Sequence, residues 1–216
     1  MSYPLSSTYF DALAWAADLH KDQVRKGSNS PYIAHLIGVS GLVIEFGGSE
    51  TEAIAALLHD AVEDQGGQKT ADEIKLRFGE DVAAIVLGCT DDKPDPGAAK
   101  RAWRLRKEEY VAHLRAVTNP SILLVSAADK LYNARAVLDD HRLVGEAIWD
   151  RFTGGRAGTL WYYRAVAHTF DAAFAELPDK ARHAFPHFPE LLTKLRFAVA
   201  TLVRESAYLD LDSRDS

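Results

Sequence analysis

Apolar residues return every third or fourth position along almost the whole 216-residue chain. No stretch alternates β-branched with polar residues as a half-buried strand does. This periodicity predicts an all-α, single-domain fold of about ten helices, with no significant sheet. The spacing places helices over 7–20, 33–46, 50–63, 70–78, 81–87, 98–117, 121–138, 143–148, 158–177 and 190–208. Ser49, Thr70 and Asn119-Pro120 stand where helix caps are expected, and Gly47-Gly48, Gly66-Gly67 and Gly154-Gly155 punctuate the pattern as turn residues. Two loops interrupt it: 25–31, between the first two helices, and 91–97, in the middle of the chain.

The length suits one domain over residues 1–208, followed by a polar, acidic tail at 209–216 that is expected to fray. With 25 Lys and Arg against 31 Asp and Glu, the formal charge is −6. That balance argues against broad nucleic-acid binding, whose affinity comes from cations on phosphates, but leaves room for a small anion in a local basic pocket. Cys89 is the single cysteine, so neither an internal disulfide nor a cysteine-based zinc site can form; it follows an apolar run and reads as a buried small hydrophobe. No signal-peptide pattern opens the chain and no apolar run is long enough for a membrane span, so a soluble cytoplasmic protein is expected.

The sharpest local feature runs from Ala55 through Leu58 to His59, Asp60, Glu63 and Asp64. On a continuous helix, Glu63, Asp60 and Asp64 would lie about 40°, 100° and 140° from His59, opposite an apolar arc. Three carboxylates and an imidazole so close repel one another's charge unless the face is solvated or a divalent cation sits among them. His35, in Pro31-Tyr32-Ile33-Ala34-His35, reads alone as a capping or surface histidine. Asp129 interrupts the apolar run Leu123–Ala128, and a buried carboxylate is costly unless paired or bound to metal. It could pair with Lys130 or Arg135. Asn133, four residues on, shares its face and could be a satisfied core amide.

The order His35, His59-Asp60, Asp129 resembles the pattern that names the HD superfamily of metal-dependent phosphohydrolases. More narrowly, the chain is similar to the (p)ppGpp hydrolase domains of RelA/SpoT proteins and to stand-alone small alarmone hydrolases. The matching pieces are His20-Lys21-Asp22-Gln23-Val24-Arg25-Lys26, the segment ending at His35, Ala56 to Asp64, Phe78-Gly79 through Thr90-Asp91, and Ala128 to Asn133. They span the first two-thirds of the chain. Asp22 stands where such domains usually carry Gly, and Leu36 where they commonly carry Pro.

The resemblance implies a set of roles. His35, His59, Asp60 and Asp129 would hold one divalent ion, Mn2+ in this family, although the mixed N/O set also suits Fe2+, Zn2+ or Co2+. Glu63 and Asp64 would position water and manage protons. Arg25 and Lys26 would grip a pyrophosphate, with Ser28 and Asn133 as sugar or phosphate contacts and Tyr162 and Tyr163 beside the nucleoside. The implied reaction is hydrolysis of the 3′-pyrophosphate of (p)ppGpp to GDP or GTP and pyrophosphate by a stand-alone form, whose partner is a small nucleotide, with no nucleic acid and no membrane. The basic run Lys100, Arg101, Arg104, Arg106 and Lys107 reads as a solvated helix face. Two alternatives remain: the same metal site acting on another nucleotide, such as the 2′-phosphate of NADPH or a deoxynucleotide, and a regulator that binds an alarmone without turnover. The oligomeric state stays open.

Overall fold

The computed structural model describes residues 4–90 and 101–212, with side chains as far as residue 207. The expected loop at 91–97 and the first residues of the sixth expected helix, Lys100 among them, lie outside that set, as does residue 213 onward. The helices are α1 (Ser7–Leu19), α2 (Ile33–Glu45), α3 (Glu50–Leu58), α4 (Ala61–Asp64), α5 (Gln68–Phe78) and α6 (Glu80–Cys89). They continue as α7 (Trp103–Ala116), α8 (Pro120–Val144), a 3-10 turn over Gly145–Arg151, α9 (Gly155–Glu176), α10 (Asp179–Ala184) and α11 (Phe188–Asp212). Among the described residues there is no strand, only an isolated bridge between Val24 and Pro31. Likewise no described helix is long and apolar enough to cross a membrane.

Helix α8 is the spine, with α2, α3, α6, α9 and α11 all packed on it. Its start is set by Asn119, whose side chain accepts from the Ser121 amide (2.9 Å), and by Pro120 in the first turn, where no amide donor is needed. Leu123, Leu124 and Leu131 are fully buried and meet Leu57 and Leu58 of α3 and Leu36, Val39 and Val43 of α2 in one core. The α2–α8 approach depends on Gly38, where a Cβ would fall 2.0 Å from the Tyr132 ring. That close packing brings the first turn of α2 beside the middle of α8.

Several expectations change in the folded chain. Thr70 lies inside α5 and caps nothing; its hydroxyl donates to the Gln65 carbonyl (2.7 Å), and Gly67 precedes the helix. The expected helix over 143–148 is absorbed into the end of α8 and the 3-10 turn. Six-residue α10 was too short to show a period. The tail is helical as far as Asp212. Most consequentially, the helix expected over 50–63 stops at Leu58, and a separate turn, α4, starts at Ala61.

Candidate metal centre

The break between α3 and α4 falls on His59-Asp60. Both residues keep right-handed dihedrals (φ/ψ −60/−29 and −96/−5), so the chain tightens here without reversing. The two side chains, which a regular helix would hold about 100° apart, instead converge: Asp60 Oδ2 lies 3.1 Å from His59 Nε2. The His59 ring is oriented by its Nδ1, which donates to the Ala56 carbonyl (2.8 Å) and leaves Nε2 turned inward.

His35 arrives from the first turn of α2, and Asp129 from the middle of α8. His35 Nε2 lies 3.2 Å from Asp129 Oδ1 and 3.6 Å from Asp60 Oδ2, while His59 Nε2 lies 3.6 Å from Asp129 Oδ1. Ligand atoms around one ion at about 2.1 Å sit about 3.0–3.4 Å from one another, so these spacings suit a shared divalent cation. His35, His59 and Asp129 offer ligand atoms all within 4.8 Å of one another, and Asp60 Oδ2 stands beside the two imidazoles, outside that mutually close group of three. His59 Nε2 is buried and has no well-directed hydrogen bond, the state of a ligand atom facing an ion. Thus neither His35 nor His59 is a surface residue; both are at most 5% exposed.

The electrostatics agree with that geometry. Burial alone would lower the His59 pKa, but the Asp60 and Asp129 carboxylates more than offset it and hold the pKa well above the usual histidine range. Burial would raise both carboxyls. His59 and His35 instead hold Asp60 well below the carboxylate range, and Lys130, with the same imidazoles, does so for Asp129. Positive charge is what this cluster demands.

Further side chains fix the ligands. Asp129 accepts from Lys130 Nζ and Asn133 Nδ2, each at 2.6 Å, so the sequence alternative of an Asp129–Lys130 pair coexists with the metal geometry. Arg135 forms no such pair. Arg25 reaches Asn133 Oδ1 (3.0 Å) and lies over the Tyr132 ring, 5.3 Å from its centroid. Lys26 and Ser28 are exposed on the 25–31 loop, where Gly27 takes φ 93 and a Cβ would stand 2.5 Å from the Arg151 guanidinium. Arg151 is itself held by Asp140 (2.9 Å), which ties the loop to α8.

Glu63 and Asp64 are exposed in α4, and Asp64 accepts from Gln23 Nε2 (2.7 Å). Tyr162 and Tyr163, each 7% exposed, form a wall inside the α7–α9 contact and no open stacking platform. Burial pushes the Tyr163 hydroxyl pKa well up, with smaller influences from Lys130, Asp129 and Arg25. The basic run on α7 is not a uniform solvated face: Arg106 is buried, Arg104 stacks on Trp161 (3.2 Å to the centroid) and Lys107 lies over Tyr162 (5.0 Å). Arg104 and Lys107 thus pack against aromatic rings of α9.

Tyr32 and Gln23, to which the motif alone gives no role, both reach the cluster. The Tyr32 hydroxyl donates to Asp60 Oδ2 (2.5 Å), and its ring packs between His20 and His35, 5.3 Å from each. Gln23 accepts from Gln65 Nε2 (2.8 Å) and meets His20 Nδ1 (2.7 Å) while holding Asp64. A Tyr three residues before a ligand histidine, at a helix start, was the available signal for the first.

An HD-domain profile matches residues 12–160, more than half of the chain. The chain belongs to the HD-domain family. Two relatives, named guanosine-3′,5′-bis(diphosphate) 3′-pyrophosphohydrolase MESH1, come from Xenopus tropicalis and Danio rerio. The frog protein is 41% identical over 58% of this chain and 66% of its own length. The zebrafish protein is 36% identical over 62% and 72%. The chain therefore spans about two-thirds of the length of these relatives. A solved structure of a metazoan SpoT ortholog that hydrolyses ppGpp superposes with a TM-score of 0.63 at 25% identity, covering 88% of this chain and 98% of that one.

Proposed function

We propose that this HD-domain protein hydrolyses the 3′-pyrophosphate of (p)ppGpp, yielding GDP or GTP and pyrophosphate, with Mn2+ as its ion. The observation that carries the reading is the convergence of His35, His59, Asp60 and Asp129 at ligand spacing, with Arg25 attached to the same cluster through Asn133. The names of the MESH1 relatives and of the SpoT ortholog support the substrate.

In this reading the four residues hold the ion, which when bound supplies Lewis acidity. Arg25 and Lys26 grip the pyrophosphate; Arg25 is the better-placed donor because Asn133 and Tyr132 already orient its guanidinium. Ser28 and Asn133 contact sugar or phosphate, and the buried Tyr163 and Tyr162 back the nucleoside side. Glu63 and Asp64 carry protons, with Asp64 steadied by Gln23. Water oxygen bonds to the phosphorus nearest the ribose, the bond from that phosphorus to the 3′ oxygen breaks, and a proton ends on the 3′ oxygen. General acid–base help of this kind is worth about 10²–10⁴ in rate.

The test incubates purified protein with ppGpp and Mn2+ and separates products by ion exchange, beside a His59→Ala/Asp60→Ala control and an NADPH arm. GDP and pyrophosphate, absent in the control, are the expected products. Turnover of NADPH alone would move the substrate while keeping the site; binding of ppGpp without turnover would favour the regulator. Substituting other divalent ions in the same assay tests the preference for Mn2+.

A further inference from the structure

On the side of α8 away from the metal centre, a groove of about 640 Å³ runs between α8 and α11, within the size range of small-molecule sites. With Asp129 as zero, Leu138, Arg142 and Arg135 fall about 180°, 220° and 240° around the helix, so the groove and the metal ligand occupy opposite faces. Four cations line it, Arg135, Arg142, Lys194 and Arg204, against one acid, Asp139. In a chain of net charge −6 this is a local reversal of sign.

The cations are not equally committed. Arg142 is held by Glu205 through two bonds of 2.8 Å, and Lys194 lies 3.4 and 3.5 Å from Glu45 and Glu190. Arg135 and Arg204 form no ion pair among the described residues, and both are exposed. Between them Phe197 presents its ring to solvent, 71% exposed. Thr201 lines the same groove only 4% exposed, and its hydroxyl has no hydrogen-bond partner. A buried hydroxyl without a partner costs free energy that a ligand atom can recover.

We propose that this groove is a second, non-catalytic site for a phosphorylated nucleoside. The base lies on Phe197, the phosphates take the free guanidiniums of Arg135 and Arg204, and Thr201 bonds the sugar or a phosphate oxygen. An aromatic face flanked by unpaired guanidiniums matches a ligand with one flat apolar part and one anionic part. The site does not depend on the reaction assigned to the metal centre.

Photolabelling the full-length protein with 8-azido-GTP tests this directly. Label is expected on the tryptic segment 197–204, with protection by GTP. Equilibrium dialysis with GTP should then show binding weakened about tenfold or more by Arg135→Gln/Arg204→Gln and also weakened by Phe197→Ala, with the groove label unchanged in Arg25→Ala. All three altered groove side chains are exposed, and circular dichroism verifies the fold. Label confined to segments of the metal centre overturns the proposal, as does GTP binding indifferent to both groove variants. So does capture of phosphatidylserine vesicles without nucleotide binding, or a wild-type dimer that Phe197→Ala dissociates and GTP does not affect.

Discussion

Tyr32 is not among the proposed ligands, yet it is bonded to one of them. Its ring is packed between two imidazoles, and its hydroxyl fixes the oxygen of Asp60 that faces His59. Burial, followed by the Asp60 carboxylate, drives the phenol pKa far above its usual range, so it remains a donor at every working pH. Tyr32→Phe keeps the ring and removes the donor. The expected result is a loss of about 10–100-fold in metal affinity, measured by competition with a chelating dye, with little change in Tm of the ion-free protein. Cys89 supplies a pH test. Expected to be buried, the residue is only partly so at the end of α6, but its thiol, beside Ser126 (3.4 Å), is still pushed up to about 11 by desolvation. A raised thiol pKa favours the neutral form, so at pH 8 only about one native thiol in a thousand is thiolate, and alkylation should run at least about a hundredfold slower than in denaturant. By the same sign, stability falls as pH rises from about 8.5 toward the native value.

At the scale of elements, the start of α3 is tied to the start of α8. Ser49 and Glu52 form a capping box, with the Ser49 amide 2.8 Å from Glu52 Oε2, and Glu52 Oε1 also accepts from Ser121 Oγ (2.7 Å). Both signals for these helix starts were legible, because a cap is a local hydrogen bond between near neighbours; the Glu52–Ser121 link was not, since it spans 69 positions. Glu52→Ala removes all of these bonds from a buried carboxylate and should cost about 2 kcal/mol by urea unfolding, more than Ser49→Ala. Thr70 failed as a cap because its predicted helix began two residues late, and hydroxyl-to-carbonyl bonding inside a turn looks the same in sequence as capping. The break after Leu58 was invisible for a related reason: no Gly or Pro marks it, and the apolar spacing runs on through Ala61 and Val62.

Across the whole molecule, the 25 residues of α8 carry Asp129 on one face and the cationic groove on the other, with α2 and the break between α3 and α4 supplying the other proposed ligands. The candidate metal centre therefore joins two neighbouring helices, α2 and α3, to α8, which the chain reaches only about sixty residues later. An ion bound there stabilises the folded state alone, by about 2.7 kcal/mol at a hundredfold excess over its dissociation constant. EDTA treatment should lower Tm by several degrees, Mn2+ should restore it, and His59→Ala/Asp60→Ala should abolish the difference; differential scanning calorimetry reads all three.

The helical class and the caps at Ser49 and Asn119 were set by the sequence itself, since periodicity and caps are properties of neighbours along the chain; the four candidate ligand residues were named through motif order, by resemblance, and not from local pattern alone. Tertiary structure alone decided that His59 and Asp60 point together, that Lys130 and not Arg135 pairs with Asp129, and that Tyr162 and Tyr163 are buried. It also decided that Arg135 and Arg204 share a groove. Each of these depends on which faces of distant helices are pressed together, and that is fixed by packing at contacts such as Gly38 against Tyr132, which no local pattern encodes.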